Sequence, residues 1–451
     1  MAPDPAPDPS SPVPVPAPGA PANSPDQPLQ LYTWLQAPVV SVAAVAIASG
    51  FGQFGAVAAL ADVAEAFGEV SAGASVAEQA GLSGTVLGVG LAVIRLASLG
   101  ALPLAGTADR HGRSRVLLAC AALGLALVVL GAFSPGYWWF VAAFGLSRPF
   151  LSAANAVAQV AVGEHTASAD RAKAVALVAA GYGVGAALVA VVRGLVPPSF
   201  GFRGTFALAA IPLVLLPLLA RWMAEPDRFR ARTTGARVRL GSLPELDATG
   251  RARLAAMVAI AFVAAFVTGP ANSFVYVYAE GILDVVPAVT AALYLAAVPV
   301  GLGGLLLGRW GADRWGRRPT AALSLAGVGL AAVLTYAGGL PTTTAGALLA
   351  VLFGYAFAPT IAALGNELFP TEVRARVAGW LVATGVVGAV AGLVVFGALA
   401  DRLDGFSAAA VVVAVPALVA TLVFLRLPET RGVELEASSA PGVTGPPPSN
   451  A

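Results

Sequence analysis

Lysine and cysteine each occur once in this 451-residue chain, at Lys173 and Cys120, and histidine twice, at His111 and His165. One cysteine excludes a disulfide framework and a cysteine-rich zinc site; Cys120 lies in an apolar run and reads as a small packing residue. The two histidines both sit beside charged stretches, which leaves no material for a histidine metal centre or proton relay. Charge of any kind is scarce: Asp, Glu, Lys and Arg make up 11% of the chain, against about 25% in ordinary soluble domains. All 24 acidic residues fall in connecting stretches, tails or the ends of apolar runs. No Walker A loop is present, so ATP does not drive this molecule. No cluster of nucleophile and base or of metal ligands points to an enzyme.

What fills the chain instead is apolar surface, 58% of residues at a mean hydropathy of +0.81. Residues 1–36 are rich in Pro, Ala and Asp, with no basic start and no early apolar core; they read as a disordered tail rather than a signal peptide. From Ala37 onward, runs long enough to cross a bilayer, about 20 residues each, alternate with short polar breaks. Twelve spans are predicted, over 38–60, 84–105, 115–134, 138–163, 173–195 and 204–223, then 254–279, 288–308, 319–338, 343–365, 376–399 and 407–427. This gives an all-α polytopic membrane protein with two six-helix bundles, 37–223 and 254–427, joined by a polar loop at 224–253 and followed by a tail at 428–451. Lys and Arg divide 21 against 3 between the two sides of these spans, with Arg95 and Arg148 inside them. The positive-inside rule then places both termini and the central loop in the cytoplasm.

Between the apolar runs a charged cassette occurs twice. Asp109-Arg110-His111-Gly112-Arg113 returns 204 residues later as Asp313-Arg314-Trp315-Gly316-Arg317. Glu164 and Arg171 recur as Glu367 and Arg374 at an offset of 203, and Glu225 beside Pro226 recurs as Glu429 beside Pro428 at 204. Several landmarks at one offset mean two copies of one unit, with function expected between them. Gly112 and Gly316 permit a tight turn between spans. Asp109 can accept hydrogen bonds from the free N–H groups at a helix N-terminus across the interface between bundles, where the helix dipole favours negative charge. Arg113 can pair with Glu164, and Asp313, Arg317 and Glu367 repeat the set. The pattern is read as a gating latch that closes the cytoplasmic side, with headgroup anchoring as the plainer alternative.

These residues carry a resemblance to the major facilitator superfamily, extending over nearly all of 38–432. Its signature after span 2, G-x-L-A-D-R-x-G-R-R, is matched here at Asp109, Arg110, Gly112 and Arg113, with Ala105 at the first glycine and the last base displaced to Arg115. The second copy matches through Arg318 but has Arg309 at the first glycine position. Glu367 to Arg374 and Pro428 to Gly432 are similar to motifs of the sugar-porter and metabolite-symporter branches. The resemblance implies an alternating-access transporter in a bacterial inner membrane. A Gly-Pro pair in span 5, a drug-antiporter mark, is absent from Gly181-Tyr182-Gly183-Val184-Gly185. Phe54, after Gly52-Gln53, stands where proton-coupled sugar porters place an aspartate, which speaks against proton symport by that route and leaves uniport, exchange or coupling through another group open.

The candidate cavity follows from its charges. Arg95 and Arg148 lie near the middle of spans 2 and 4, and no mid-span carboxylate answers them. A charge at the bilayer centre costs roughly 2.5–3.5 kcal/mol, so it normally faces a cavity and a partner; an anionic substrate can be that partner. Ser152, Asn155 and Gln159 share a helical face with Arg148. Gln53 in span 1, Asn272 and Tyr276 around Gly269-Pro270 in span 7, and Tyr355 near Pro359 in span 10 complete the set, because proline-broken spans are where transporters place binding groups. The substrate is expected to be a small organic anion. A sugar or polyol porter, a drug exporter and a non-transporting sensor on the same fold are the alternatives. Expected partners are the bilayer, the solute and optionally a coupling proton or ion. No cofactor, metal or nucleic acid is expected, and the chain is read as a monomer. Topology can be tested with single cysteines at Gly235 and Ala74 on a Cys120→Ser background. An impermeant reagent should label position 74 and spare 235 in intact cells; labelling of 235 would contradict this orientation.

Overall fold

The computed structural model describes residues 32–68, 81–223 and 246–431. Most of the expected N-terminal tail, most of the 224–253 loop, including Glu225, and the tail beyond Arg431 lie outside the described residues. Twelve helices among them are long and apolar enough to cross a membrane. The first six are α1 (Ala37–Ala58), α2 (Gly84–His111), α3 (Arg113–Gly131), α4 (Tyr137–His165), α5 (Ser168–Leu195) and α6 (Gly201–Ala220). The second six are α7 (Ala248–Ser273), α8 (Pro287–Arg314), α9 (Arg317–Thr335), α10 (Leu340–Glu367), α11 (Thr371–Arg402) and α12 (Phe406–Phe424). In a bilayer every backbone N–H and C=O must be satisfied within the segment, and helices do this without a partner strand.

Every predicted span is present, with edges moved for local reasons. α2 and α8 run through the cassettes, so Asp109 and Asp313 sit on the last helical turn rather than in a loop. Gly112 at φ +100° and Gly316 at φ +112° then stop each helix in a conformation that costs side-chain-bearing residues 1–2 kcal/mol or so. α7 begins six residues earlier than expected because the Asp247 carboxylate caps it, accepting from Gly250 N at 2.6 Å. It also ends earlier, and a π-helical turn, Val277–Ile282, follows. In α2, a 3-10 turn at Ser98–Gly100 precedes Pro103, which has no N–H to give to the carbonyl of Leu99.

The six-helix halves repeat each other. α1 packs along α5 and α7 along α11, and the halves meet where α2 faces α11 and α5 faces α8. Glycine brings these backbones together. A Cβ built at Gly185 would lie 1.9 Å from the carbonyl oxygen of Ile47, and one at Gly392 2.0 Å from that of Phe266. Between the halves, a Cβ at Gly88 would lie 2.4 Å from the Leu393 oxygen. Without a hydrophobic force between helices in lipid, such close approach supplies the packing energy. Gly183 is different, with nothing within 4 Å of its Cβ position. Gly392→Ala should therefore overpack α7 against α11 and cost about 1–3 kcal/mol. Gly183→Ala should be neutral or mildly stabilising, since glycine inside a helix is the poorer residue. Thermal unfolding midpoints in detergent separate the two, and equal midpoints would contradict this packing.

Candidate substrate cavity and gates

The first half places a polar hub at the middle of α1. Gln53 is 6% exposed, and its side-chain oxygen accepts from Ser152 Oγ and from the Tyr182 hydroxyl, both at 3.2 Å. Its amide donates to Ser49 Oγ at 3.0 Å, and Ser49 donates on to the Leu151 carbonyl at 2.9 Å. Arg148, half-buried on α4, donates from Nη1 to the Gln53 backbone oxygen at 2.7 Å. Its Nε is buried with no partner, and so is the Asn155 side-chain oxygen. Arg148 lies within electrostatic reach of Arg95 and Tyr182. Among the described residues no carboxylate forms a salt bridge with either arginine. Arg95 itself keeps an exposed side chain, as do Gln159 and Phe54. The structure thus joins Gln53, Arg148 and Ser152, keeps Arg95 and Asn155 nearby on α2 and α4, and leaves Gln159 two turns or more away along α4.

The second half presents a different wall. Asn272 is exposed, and its backbone oxygen accepts from the Tyr294 hydroxyl at 3.4 Å. Tyr276 corrects the expectation that it lines the cavity: at 3% exposure it stacks on Tyr294, with centroids 4.6 Å apart and an 8° tilt. An aromatic pair of this kind stiffens the wall rather than presenting a hydroxyl. Tyr355 is 48% exposed and lies along Gly301 of α8. A cavity of about 600 Å³ opens between α7, α9, α10 and α11, with Thr268, Asn366 and Arg374 as polar groups in an otherwise apolar lining.

At the helix ends away from the cassettes, the halves are bound by charge. Arg193, near the end of α5, is 5% exposed. Its guanidinium grips Asp62 in the short helix Leu60–Phe67, with contacts of 2.5 and 2.7 Å, and at the same time Glu280 of the π-helical turn, where Nη1 reaches a carboxylate oxygen at 2.7 Å. Thr290 Oγ1 donates to Glu280 at 2.5 Å. A second contact caps a helix: Asp401, at the end of α11, accepts from Gly84 N at 2.7 Å, Thr85 N at 2.8 Å and Thr85 Oγ1 at 2.5 Å. A carboxylate on the first free N–H groups of α2 meets the positive end of its dipole.

The cassettes at the opposite ends form pairs inside their own halves. Arg113 meets Asp109 at 2.6 Å and Glu164 at 3.1 Å. Arg317 meets Glu367 at 3.4 Å and Asp313 at 3.6 Å, while the side chains of Asp109 and Asp313 remain 46% and 63% exposed. Glu429 caps α9, accepting from Arg317 N at 2.9 Å and Arg318 N at 3.1 Å. Glu367 also accepts from Thr430 Oγ1. Arg374 donates to the Phe369 carbonyl at 3.2 Å, whereas Arg110 and Arg171 are exposed. Arg314 lies 5.8 Å from the centre of the Trp310 ring.

Two six-helix repeats, each with a glycine-stopped cassette, are joined by an independent comparison. The model of the Major Facilitator Superfamily matches residues 42–311 and again 283–447. The chain belongs to the major facilitator superfamily. A probable 4-methylmuconolactone transporter of Cupriavidus pinatubonensis is 26% identical over 369 residues, covering 79% of this chain and 85% of that protein. A gentisate transporter of Corynebacterium glutamicum is 26% identical over 379 residues, covering 78% and 82%. In structure, the inward-open xylose transporter XylE from E. coli superposes with a TM-score of 0.69 at 18% identity, over 89% of this chain and 99% of that one. This major-facilitator protein is a multi-pass membrane transporter.

The hub residues Ser49 and Tyr182 and the clamp of Asp62, Arg193 and Glu280 were not singled out from sequence. Repeat spacing cannot reveal the clamp, because the position 204 along from Arg193 is Gly397; a contact between unlike surfaces of two copies leaves no echo. A usable signal was the lone arginine ending span 5 opposite acidic ends of spans 1 and 7. Breaking a buried pair by removing one partner costs about 3–5 kcal/mol, so Arg193→Gln should open this end. The readout is maleimide labelling of Ala291→Cys on a Cys120→Ser background, since Ala291 is 6% exposed and lies against Gly194. Labelling should rise strongly; unchanged labelling would mean the clamp does not hold the gate.

Proposed function

We propose that this transporter carries a small organic anion by alternating access, with Arg148 as its charge-reading group and Arg95 assisting. The observation that carries this reading is the partnerless Nε of Arg148, half-buried at mid-membrane with no carboxylate paired to it. Arginine can grip a carboxylate with two parallel hydrogen bonds, and in a site of low dielectric such charge-assisted bonds are the strong ones. Gln53 holds Arg148 by its carbonyl and orients Ser152 and Tyr182 beside it. The names of the two relatives support the same class, since gentisate is an aromatic carboxylate.

The gates follow from antiparallel helix pairs. Asp401 at the end of α11 caps the start of α2; Asp109 at the end of α2 is placed to cap the start of α11 when the other end closes. Asp313 at the end of α8 stands in the same relation to the start of α5. With the basic end in the cytoplasm of a bacterial inner membrane, the clamped end is the outer gate and this conformation is inward-open. Binding energy from the anion then offsets the cost of separating Arg193 from Glu280.

Matched acid and amide forms of one solute provide the test in proteoliposomes. The acid should be taken up and the amide should not. Arg148→Lys should weaken uptake of the acid although charge is kept, and Arg148→Gln should weaken it further, by about tenfold or more. Equal transport of acid and amide, with wild-type affinity in both variants, would reject the anion reading in favour of a neutral sugar held by Gln53, Asn155 and Asn272.

A further inference from the structure

The two cassettes are copies, yet the second, which lies in a recess, carries side chains that the first does not. A cavity of about 480 Å³ at the end of α8 is lined by Leu306, Arg309, Trp310, Asp313, Arg314 and Arg431. In the first copy the positions of Arg309, Trp310, Trp315 and Arg431 are held by Ala105, Gly106, His111 and Asp227. A latch that works in both halves needs none of these differences, so they require a separate cause. We propose that this recess binds the phosphate headgroup of an anionic phospholipid in the leaflet at the cassette end.

Three arginines converge there, and their only acidic neighbour in the lining, Asp313, is already turned to Arg317 at 3.6 Å. Arg431 is brought in from beyond α12 by a bond from its Nη1 to the Arg314 carbonyl at 2.6 Å. The recess therefore carries an excess of positive charge, which a phosphate diester would neutralise with charge-assisted bonds. Phospholipid rather than soluble phosphate is indicated by what continues from it. Leu302, Leu306 and Trp310 are spaced four apart and share one helical face, with 59%, 68% and 49% of their surfaces exposed. That row forms an apolar track leading from the arginines toward the bilayer core, the direction an acyl chain takes. Trp310 and Trp315 meet edge to face at 5.0 Å, and Trp315 is 54% exposed. Indole rings in this position mark the headgroup level of a membrane. Basic pockets between spanning helices with this make-up recognise anionic headgroups.

Native mass spectrometry of the full chain from micelles doped with phosphatidylglycerol, phosphatidylcholine or soluble glycerol phosphate tests the proposal. Phosphatidylglycerol should bind more tightly than phosphatidylcholine, and glycerol phosphate should not be retained. Each arginine near the surface contributes roughly a fivefold factor in affinity. Arg309→Ala with Arg431→Ala should thus lower phosphatidylglycerol affinity by about 25-fold. Arg115→Ala with Lys173→Ala removes the same charge from the other half and should leave affinity unchanged. Equal affinity in the two double variants would overturn the site, and retention of glycerol phosphate as strongly as the lipid would overturn its assignment to a phospholipid. Should the double variant fail to fold, Arg309→Gln alone must give about a fivefold loss; no loss would be equally decisive against the site.

Discussion

A guanidinium in the middle of a bilayer is the constraint around which this molecule is arranged. Arg148 is held at mid-span by one backbone carbonyl and has a nitrogen with no partner. Hydrocarbon will not accept that charge without cost, so the side chain is expected to face a cavity, and on the reading proposed above an anion answers it there. Gln53 stands at the centre because this one residue presents its backbone oxygen to Arg148 and its side-chain amide oxygen to two hydroxyls. The opposite half holds the Tyr276–Tyr294 stack and an exposed Asn272.

Helix ends carry the polar contacts that tie the spans together. Each spanning helix exposes free N–H groups at its start and free carbonyls at its end, and a carboxylate placed on the facing helix can answer the first. Asp401 on α2 and Glu429 on α9 show the same device used twice, once between halves and once within a half. The Arg193 clamp adds a charge contact between the halves at the ends away from the cassettes.

The fold was legible because bilayer thickness imposes span length directly on sequence, and because duplication wrote Asp109 and Asp313, Glu164 and Glu367 at nearly the same offset, 204 and 203. Helix edges were less legible: the cassettes look like loops by charge, but they are the last turns of α2 and α8, where charged side chains reach water while the backbone stays helical. Four-residue spacing put Ser152 on the face of Arg148, and both side chains contact Gln53. Tyr276 was misplaced because spacing gives a face but not what covers it, and Tyr294 lies ten or more residues further on, across a π-helical turn. Contacts between unlike surfaces of the two halves, above all Arg193 with Glu280, carry no sequence periodicity.

If the substrate alone supplies the charge opposite Arg148, the anion crosses with its charge uncancelled by any mid-membrane carboxylate of this chain. Solid-supported-membrane current recordings on proteoliposomes, with a carboxylate concentration jump at constant pH, measure this most directly. A transient current of negative charge moving with the solute, absent for the matched amide, is the predicted result. Uptake of the carboxylate with no net charge movement would show that a proton travels with it on another group, and would contradict transport of an uncompensated anion past Arg148.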